Sequence, residues 1–237
     1  MKQEEIVKNL EKYPVFDLKI VREIIEKDSD YAKLVVHRLK KNKLISEIEK
    51  GRYSTNREPI VIASNIIWPS YISCWSALRY HNITEQLPQI ISVMTTRKRK
   101  KKEVSLYGTK IVFTRIKPKY LFGYERKRYQ NFNIFIANKE KALIDSALLR
   151  KISFSEICDI MRVNIKSVDI DLLVKYLLRI KNKTLIKRFG FLIDKLGIDK
   201  YDRFKEIIDF KYVPLDYAIP ADGKRNKKWR VIDNVGL

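Results

Sequence analysis

The sequence predicts an α+β fold, in which a small helical module closed by a hairpin precedes a mixed α/β domain whose carboxy-terminal part is mainly helical. Two observations carry this. Apolar residues recur at three-to-four spacing over the first 42 positions and again beyond residue 138, while the stretches IISVMTT, KIVFTRI and FNIFIA between them are short, apolar and β-branched. The chain of 237 residues is 45% apolar, with only 7 glycines and 7 prolines, enough for buried cores and too few for long flexible linkers. The expected division is 1–56 and 57–237, the second part strand-rich over 57–137 and helical over 138–210.

In the first module, residues 3–12 place Ile6, Val7 and Leu10 on one helical face, and residues 17–27 do the same with Leu18, Val21, Ile24 and Ile25. Asp28 or Ser29 is placed to cap a third helix over 30–42, with Ala32, Val35, Val36 and Leu39 turned inward. Asn42 is expected to end it in a left-handed conformation. LISEIEKGRYST then reads as two short strands around Glu49-Lys50-Gly51.

Three short helices and a hairpin form the winged helix-turn-helix arrangement. In it the third helix buries one face and offers the other to the major groove of duplex DNA. The offered face here is Ser29, Tyr31, Lys33 and His37. Lys40, Lys41 and Lys43 would meet phosphates, and Lys50 and Arg52 at the wing tip would reach the sugar-phosphate backbone or the minor groove. Lys33 to Lys43 holds five basic residues and no acid. The same face also suits a protein-contact module, Tyr31 suits a core position as well as a base-reading one, and His37 suits a plain surface histidine.

Further along, PIVIAS within the connector 57–70 is expected to be a strand. PSYISCWSALRYHNIT is expected to be a helix capped by Ser70 that buries Ile72, Trp75 and Leu78 and ends at His81-Asn82. Strands are expected at 90–96, 110–116 and 132–137, and a helix capped by Asn138 over KEKALIDSALL. Segments 153–162, 168–180, 184–197 and 200–209 show helical spacing, and a last strand is expected near Tyr212 to Tyr217.

The formal charge of +22 favours nucleic acid, anionic membrane surfaces or acidic protein partners. Six consecutive basic residues, Arg97, Lys98, Arg99, Lys100, Lys101 and Lys102, repel one another unless something negative meets them. They read as a hairpin tip between strands 90–96 and 110–116, forming with Arg115, Arg126, Lys127 and Arg128 a second basic surface for RNA or for DNA flanking the first site. A solvated loop of a lysine-rich chain is the other reading. Between residues 97 and 130 there are 13 Lys and Arg against two acids, Glu103 and Glu125.

Catalytic patterns are sparse. Two histidines, His37 and His81, cannot build a histidine-rich metal site, and there is no glycine-rich phosphate loop or nucleophile elbow. Asp209-Phe210-Lys211 carries the acid and lysine of a metal-dependent nuclease if it lies on a strand, but Asp17-Leu18-Lys19 repeats the pattern and no second metal-binding acid can be placed. No catalytic residue, metal or cofactor is assigned. Cys74 and Cys158 lack companion spacing and read as buried free thiols rather than as a disulfide or metal ligands. No apolar stretch is long enough to span a membrane and the amino terminus has no apolar signal core, so a cytoplasmic, nucleoid-associated protein is expected.

An ordered set of motifs adds to this reading. LISEIEKGRYS closes the first module, and YISCWSALRYHNITEQ, VMTTRKRK, FGYERKRY, IANKEKALIDSAL and the closing WRVIDN follow. In that order they resemble the AbiE-type abortive-infection antitoxins, a family of transcriptional regulators in phage-defence operons. The run Arg97 to Lys102 departs from the family in length. The resemblance implies a repressor that binds inverted repeats in double-stranded operator DNA. It also implies a carboxy-terminal part that counteracts a nucleotidyltransferase-class toxin encoded nearby, without a stable complex. It brings no catalytic residues. The alternatives are an RNA-binding or metal-dependent nuclease-type defence protein, and an interaction module for an acidic protein.

Overall fold

The computed structural model describes residues 2–85 and 89–237, so Gln86, the last residue of the YISCWSALRYHNITEQ motif, lies outside the described residues. The chain is a mixed α+β fold that clusters into two compact units interleaved in sequence. One comprises Met1–Ile72, Gln89–Ile116 and Arg126–Ile136. The other comprises Ser73–Pro88, Lys117–Glu125 and Ala137–Leu237. Residues 1–56 thus share a unit with strands from later in the chain. Among the described residues no helix is long and apolar enough to cross a membrane.

The first unit begins with α1 (Gln3–Leu10), a short strand β1 (Phe16–Asp17), α2 (Leu18–Ile25) and α3 (Ser29–Lys41). Asp17 caps α2 by accepting the backbone N–H groups of Lys19 and Ile20 at 2.9 and 3.1 Å. The Asp17-Leu18-Lys19 repeat of the nuclease-like pattern is therefore a helix cap. Asp28 caps α3, accepting the N–H of Tyr31 at 2.8 Å. The predicted inward residues of all three helices close one core, with Ile6, Leu10, Val21, Ala32, Val35, Val36 and Leu39 buried against Phe16, Ile45 and Tyr53. The left-handed residue after α3 is Lys43, with φ 56°, and not Asn42, with φ −82° and ψ 6°. The helix loosens by a residue before the chain reverses. Strands β2 (Ser46–Glu49) and β3 (Arg52–Ser54) form the expected hairpin, and β1, which the sequence does not announce, adds to it as β1-β3-β2.

The rest of this unit corrects the reading of the connector. PIVIAS is a helix, α4 (Pro59–Asn65), with proline at its first turn, where the missing N–H costs nothing. Val61, Ile62, Ala63 and Ser64 are all buried, so no alternation distinguishes inside from outside. Ser70–Ser73 is a strand, β4, and not the start of a helix. It lies inside a six-stranded sheet, and burial on both faces erases its alternation. The sheet contains β5 (Ile90–Thr95), β6 (Glu103–Leu106), β7 (Thr109–Arg115), β8 (Tyr124–Tyr129) and β9 (Phe132–Ala137), ordered β6-β7-β5-β4-β9-β8. Strands β5 and β7 are parallel in register Ile90↔Lys110 to Thr95↔Arg115, while β6 is antiparallel to β7. Residues 97–102 are consequently no hairpin tip between 90–96 and 110–116. They are a crossover that carries the chain past β7 to the edge strand β6, because parallel neighbours cannot be joined by a tight turn.

The second unit is built around α6 (Lys139–Leu148), capped by Asn138, whose side chain accepts the N–H of Lys141 at 3.0 Å. Every residue from Glu140 to Ala147 is buried, the pattern of a central helix with neighbours on all sides. Helices α5 (Cys74–Tyr80), α7 (Phe154–Asn164), α8 (Ile170–Ile180) and α9 (Lys183–Lys195) surround it. Ser73, and not Ser70, occupies the position before α5, and Trp75 is half-buried rather than core. Residues 200–209 do not form an α-helix. Asp199 accepts the N–H of Tyr201 at 2.8 Å, and one 3-10 turn at Tyr201–Arg203 follows. Tyr201 and Phe204 then meet the ring of Trp229 edge-on at 5.2 and 6.0 Å. The expected terminal strand is only β10 (Val213–Pro214), parallel to β12 (Val231–Asp233), and β11 (Lys224–Asn226) in the basic tail completes that small sheet.

Candidate nucleic-acid interface

Burial of Ala32, Val35, Val36 and Leu39 leaves the remainder of α3 facing solvent. Ser29, Tyr31, Lys33, His37, Lys40 and Lys41 are all exposed, as is Lys43 just beyond the helix. Tyr31 is 44% exposed, which removes it from the core and leaves its phenol free to reach outward. Two residues on this face are not among those the sequence singles out. Leu34, 42% exposed, and Arg38 complete the row Tyr31–Leu34–Arg38–Lys41, spaced three and four apart. That spacing is the signal that could have found them, since an apolar residue in such a row offers a methyl surface of the kind that packs on thymine.

Not every cation here is available. Lys33 pairs with Asp30 at 2.9 Å, holding the Asp30 carboxyl below its ordinary range, chiefly through that hydrogen bond. Both side chains are well exposed and the pair is screened by water, so a phosphate or base can displace Asp30. Lys40 is bound to Glu47 of β2, which raises the lysine and lowers the carboxyl, again first through the shared hydrogen bond. Arg52 pairs with Glu49 at 3.3 Å and donates to the carbonyl of Ile66. Lys41, Lys43 and Lys50 are exposed and make no ion pair among the described residues.

The basic run lies beside the β2–β3 hairpin. Arg99 is 11% exposed. It donates to Glu49 at 2.5 Å and to the carbonyl of Lys101 at 3.1 Å, and its guanidinium lies 4.0 Å from the centroid of the Phe113 ring. Tyr107 adds a second tie, its hydroxyl 2.7 Å from that of Ser46 on β2. Arg97 donates to the carbonyl of Trp68 at 3.3 Å. Lys98, Lys100, Lys101 and Lys102 are exposed and make no ion pair among the described residues. Arg115 is exposed at the end of β7, on the same unit. Arg126 and Arg128 are exposed on β8 and Lys127 there is half-buried, but β8 is the edge strand opposite β6. Four strand spacings separate β7 from β8, roughly 19 Å. The structure therefore brings Arg97 to Lys102 toward the β2–β3 hairpin and does not bring them to one edge with Arg126, Lys127 and Arg128.

The remaining candidates have other employment. Asp209 lies in a loop and not on a strand. Its carboxylate accepts from Lys187 at 2.5 Å and from the N–H of Lys211 at 3.2 Å, with Lys183 at 3.4 Å, and Lys187 above all holds it down to about 2. Among the described residues no group of three or more His, Cys, Asp or Glu is placed to hold a metal ion. His81 Nε2 is 2.8 Å from the carbonyl of Ala137, a tie within the second unit. Cys74 and Cys158 are buried free thiols, each pushed up to about 12 by burial. One polar cluster lies wholly inside the second unit, where Lys141 is bound to Asp145 and Asp145 accepts from Ser73 at 2.8 Å. Its members are at most 1% exposed, and burial pulls the lysine below its usual range. Buried at this depth, the cluster ties Ser73, just before α5, to α6.

No protein-family model matches the chain, and no curated protein matches it.

Proposed function

We propose that the protein is a DNA-binding transcriptional repressor that uses residues 1–56 as a winged helix-turn-helix domain. The observation that carries this reading is the division of α3, with four apolar residues buried and an outward row of hydrogen-bonding and cationic side chains beside a β-hairpin. A helix so divided can lie in a major groove while its partners hold it in place. On this reading Tyr31, Lys33 and His37 would meet base edges, Leu34 a thymine methyl, and Lys41, Lys43 and Lys50 phosphates. The target is double-stranded operator DNA with inverted repeats, in keeping with the AbiE-type resemblance. The carboxy-terminal part would act as the antitoxin, countering a nucleotidyltransferase-type toxin encoded nearby without holding it in a stable complex.

The experiment is competitive binding of purified protein to the duplex upstream of its own gene and to a scrambled duplex of equal length. The upstream duplex is expected to bind more tightly at physiological salt, and equal affinity for both would contradict a repressor. Rescue of growth from a neighbouring nucleotidyltransferase on co-expression tests the antitoxin role.

A further inference from the structure

We infer that the crossover Arg97 to Lys102 is a second phosphate-contacting element joined to the wing, so that the DNA footprint extends past the segment covered by α3. This rests on the DNA-binding reading above and specifies where its affinity comes from. The run divides by function. Arg99 is turned inward, spanning Glu49 on the wing strand β2 and the Phe113 ring on β7, and is 11% exposed. Lys98, Lys100, Lys101 and Lys102 are turned outward. A loop of six like charges would ordinarily swell away from the protein. Here the one arginine that forms both an ion pair and a ring contact latches it to the hairpin, and Tyr107 with Ser46 at 2.7 Å fastens the next strand to the same hairpin. Glu49 at the hairpin pairs with Arg52 and Arg99, Glu47 on β2 with Lys40, and Glu103 just after the run with Lys110 at 2.6 Å, so each of these acids is matched by a cation. The outward lysines thus continue the positive surface of Lys50 at a fixed position. Point charges of this kind suit phosphate and carry no base preference. An exposed tryptophan, Trp68, beside Arg97 offers a stacking platform for unpaired bases, which makes single-stranded nucleic acid the competing occupant.

The test compares wild type with Lys98→Ser/Lys100→Ser/Lys101→Ser/Lys102→Ser on two upstream duplexes, one just spanning the site protected by α3 and one longer by about 10 base pairs on each side. Wild type is expected to bind the longer duplex more tightly. The variant should lose that gain, roughly 10-fold at 0.1 M salt for each phosphate no longer neutralised, with the log–log salt slope shallower by about 0.9 per phosphate. On the short duplex the two proteins should bind alike. Arg99→Ala keeps every outward lysine but frees the loop, and it should lose part of the same gain. An equal gain from length in wild type and the lysine variant overturns the proposal and leaves the α3 reading standing. With a single strand of the same sequence as a third ligand, a loss confined to that strand, matched by a loss there in Trp68→Ala, overturns it in favour of stacking on Trp68. Failure of wild type to bind any duplex overturns both readings together.

Discussion

Lysines on α3 and lysines inside the second unit are the same residue put to opposite uses. The Lys33 side chain is 61% exposed and its one partner, Asp30, is 91% exposed. Lys141 is fully buried against Asp145, and the side chain of Lys187 is 2% exposed, between Asp209 and the carbonyl of Lys211. The first kind is half-solvated and can exchange its carboxylate for a phosphate at little cost. The second has been stripped of water and survives only because its partners are fixed. A formal charge of +22 therefore overstates what a ligand meets. On the proposed function the cations that count are those on α3, the β2–β3 hairpin and the crossover whose partners are weak or, among the described residues, not ionic.

The largest effect is expected where the buried kind is broken. Asp145→Ala removes the carboxylate bound to the buried Lys141, and unfolding stability should drop by about 3–5 kcal/mol, read from the denaturant midpoint. A change below about 1 kcal/mol would mean that the cluster is better hydrated than its burial implies. Next comes base reading. Lys33→Ala or Tyr31→Ala should leave stability nearly unchanged but relax discrimination between upstream and scrambled duplexes by about 1–3 kcal/mol for each base edge no longer read. Equal weakening on both duplexes would move these residues from base edges to phosphates. Lys41→Ala should weaken every sequence alike, with a slope shallower by about 0.9, measured by repeating the titration at several salt concentrations. The smallest effect belongs to Lys40 and Glu47. Both are partly exposed, and removing either should change stability by less than about 1 kcal/mol.

The legible parts of the fold are those with one wet face. α1, α2 and α3 expose their polar sides, so Leu10, Val21 and Leu39 stand out at helical spacing, and Asp28 and Asn138 announce their caps. Where both faces are covered the pattern disappears. Val61 to Ser64 and Ser70 to Ser73 are both short and wholly buried, yet the first is helix and the second strand. Periodicity cannot separate them. Strands β5 and β7 are visible in the sequence, but their parallel pairing is not, because β6 hides in the basic stretch as Glu103-Val104-Ser105-Leu106, alternating but only four residues long. That pairing decides whether Arg97 to Lys102 is a hairpin tip or a crossover. Within the candidate interface, the positions on α3 follow from spacing. The latch of Arg99 on Glu49 depends on a contact between residues 50 apart and leaves no local trace.

On the proposed function, an outward cationic face on the first unit binds duplex DNA by displacing its counterions. The salt dependence of binding to the upstream duplex tests it most directly. If ~6–10 phosphates are neutralised, the plot of log affinity against log salt should fall with a slope of roughly −5 to −9. A slope near zero would contradict the account.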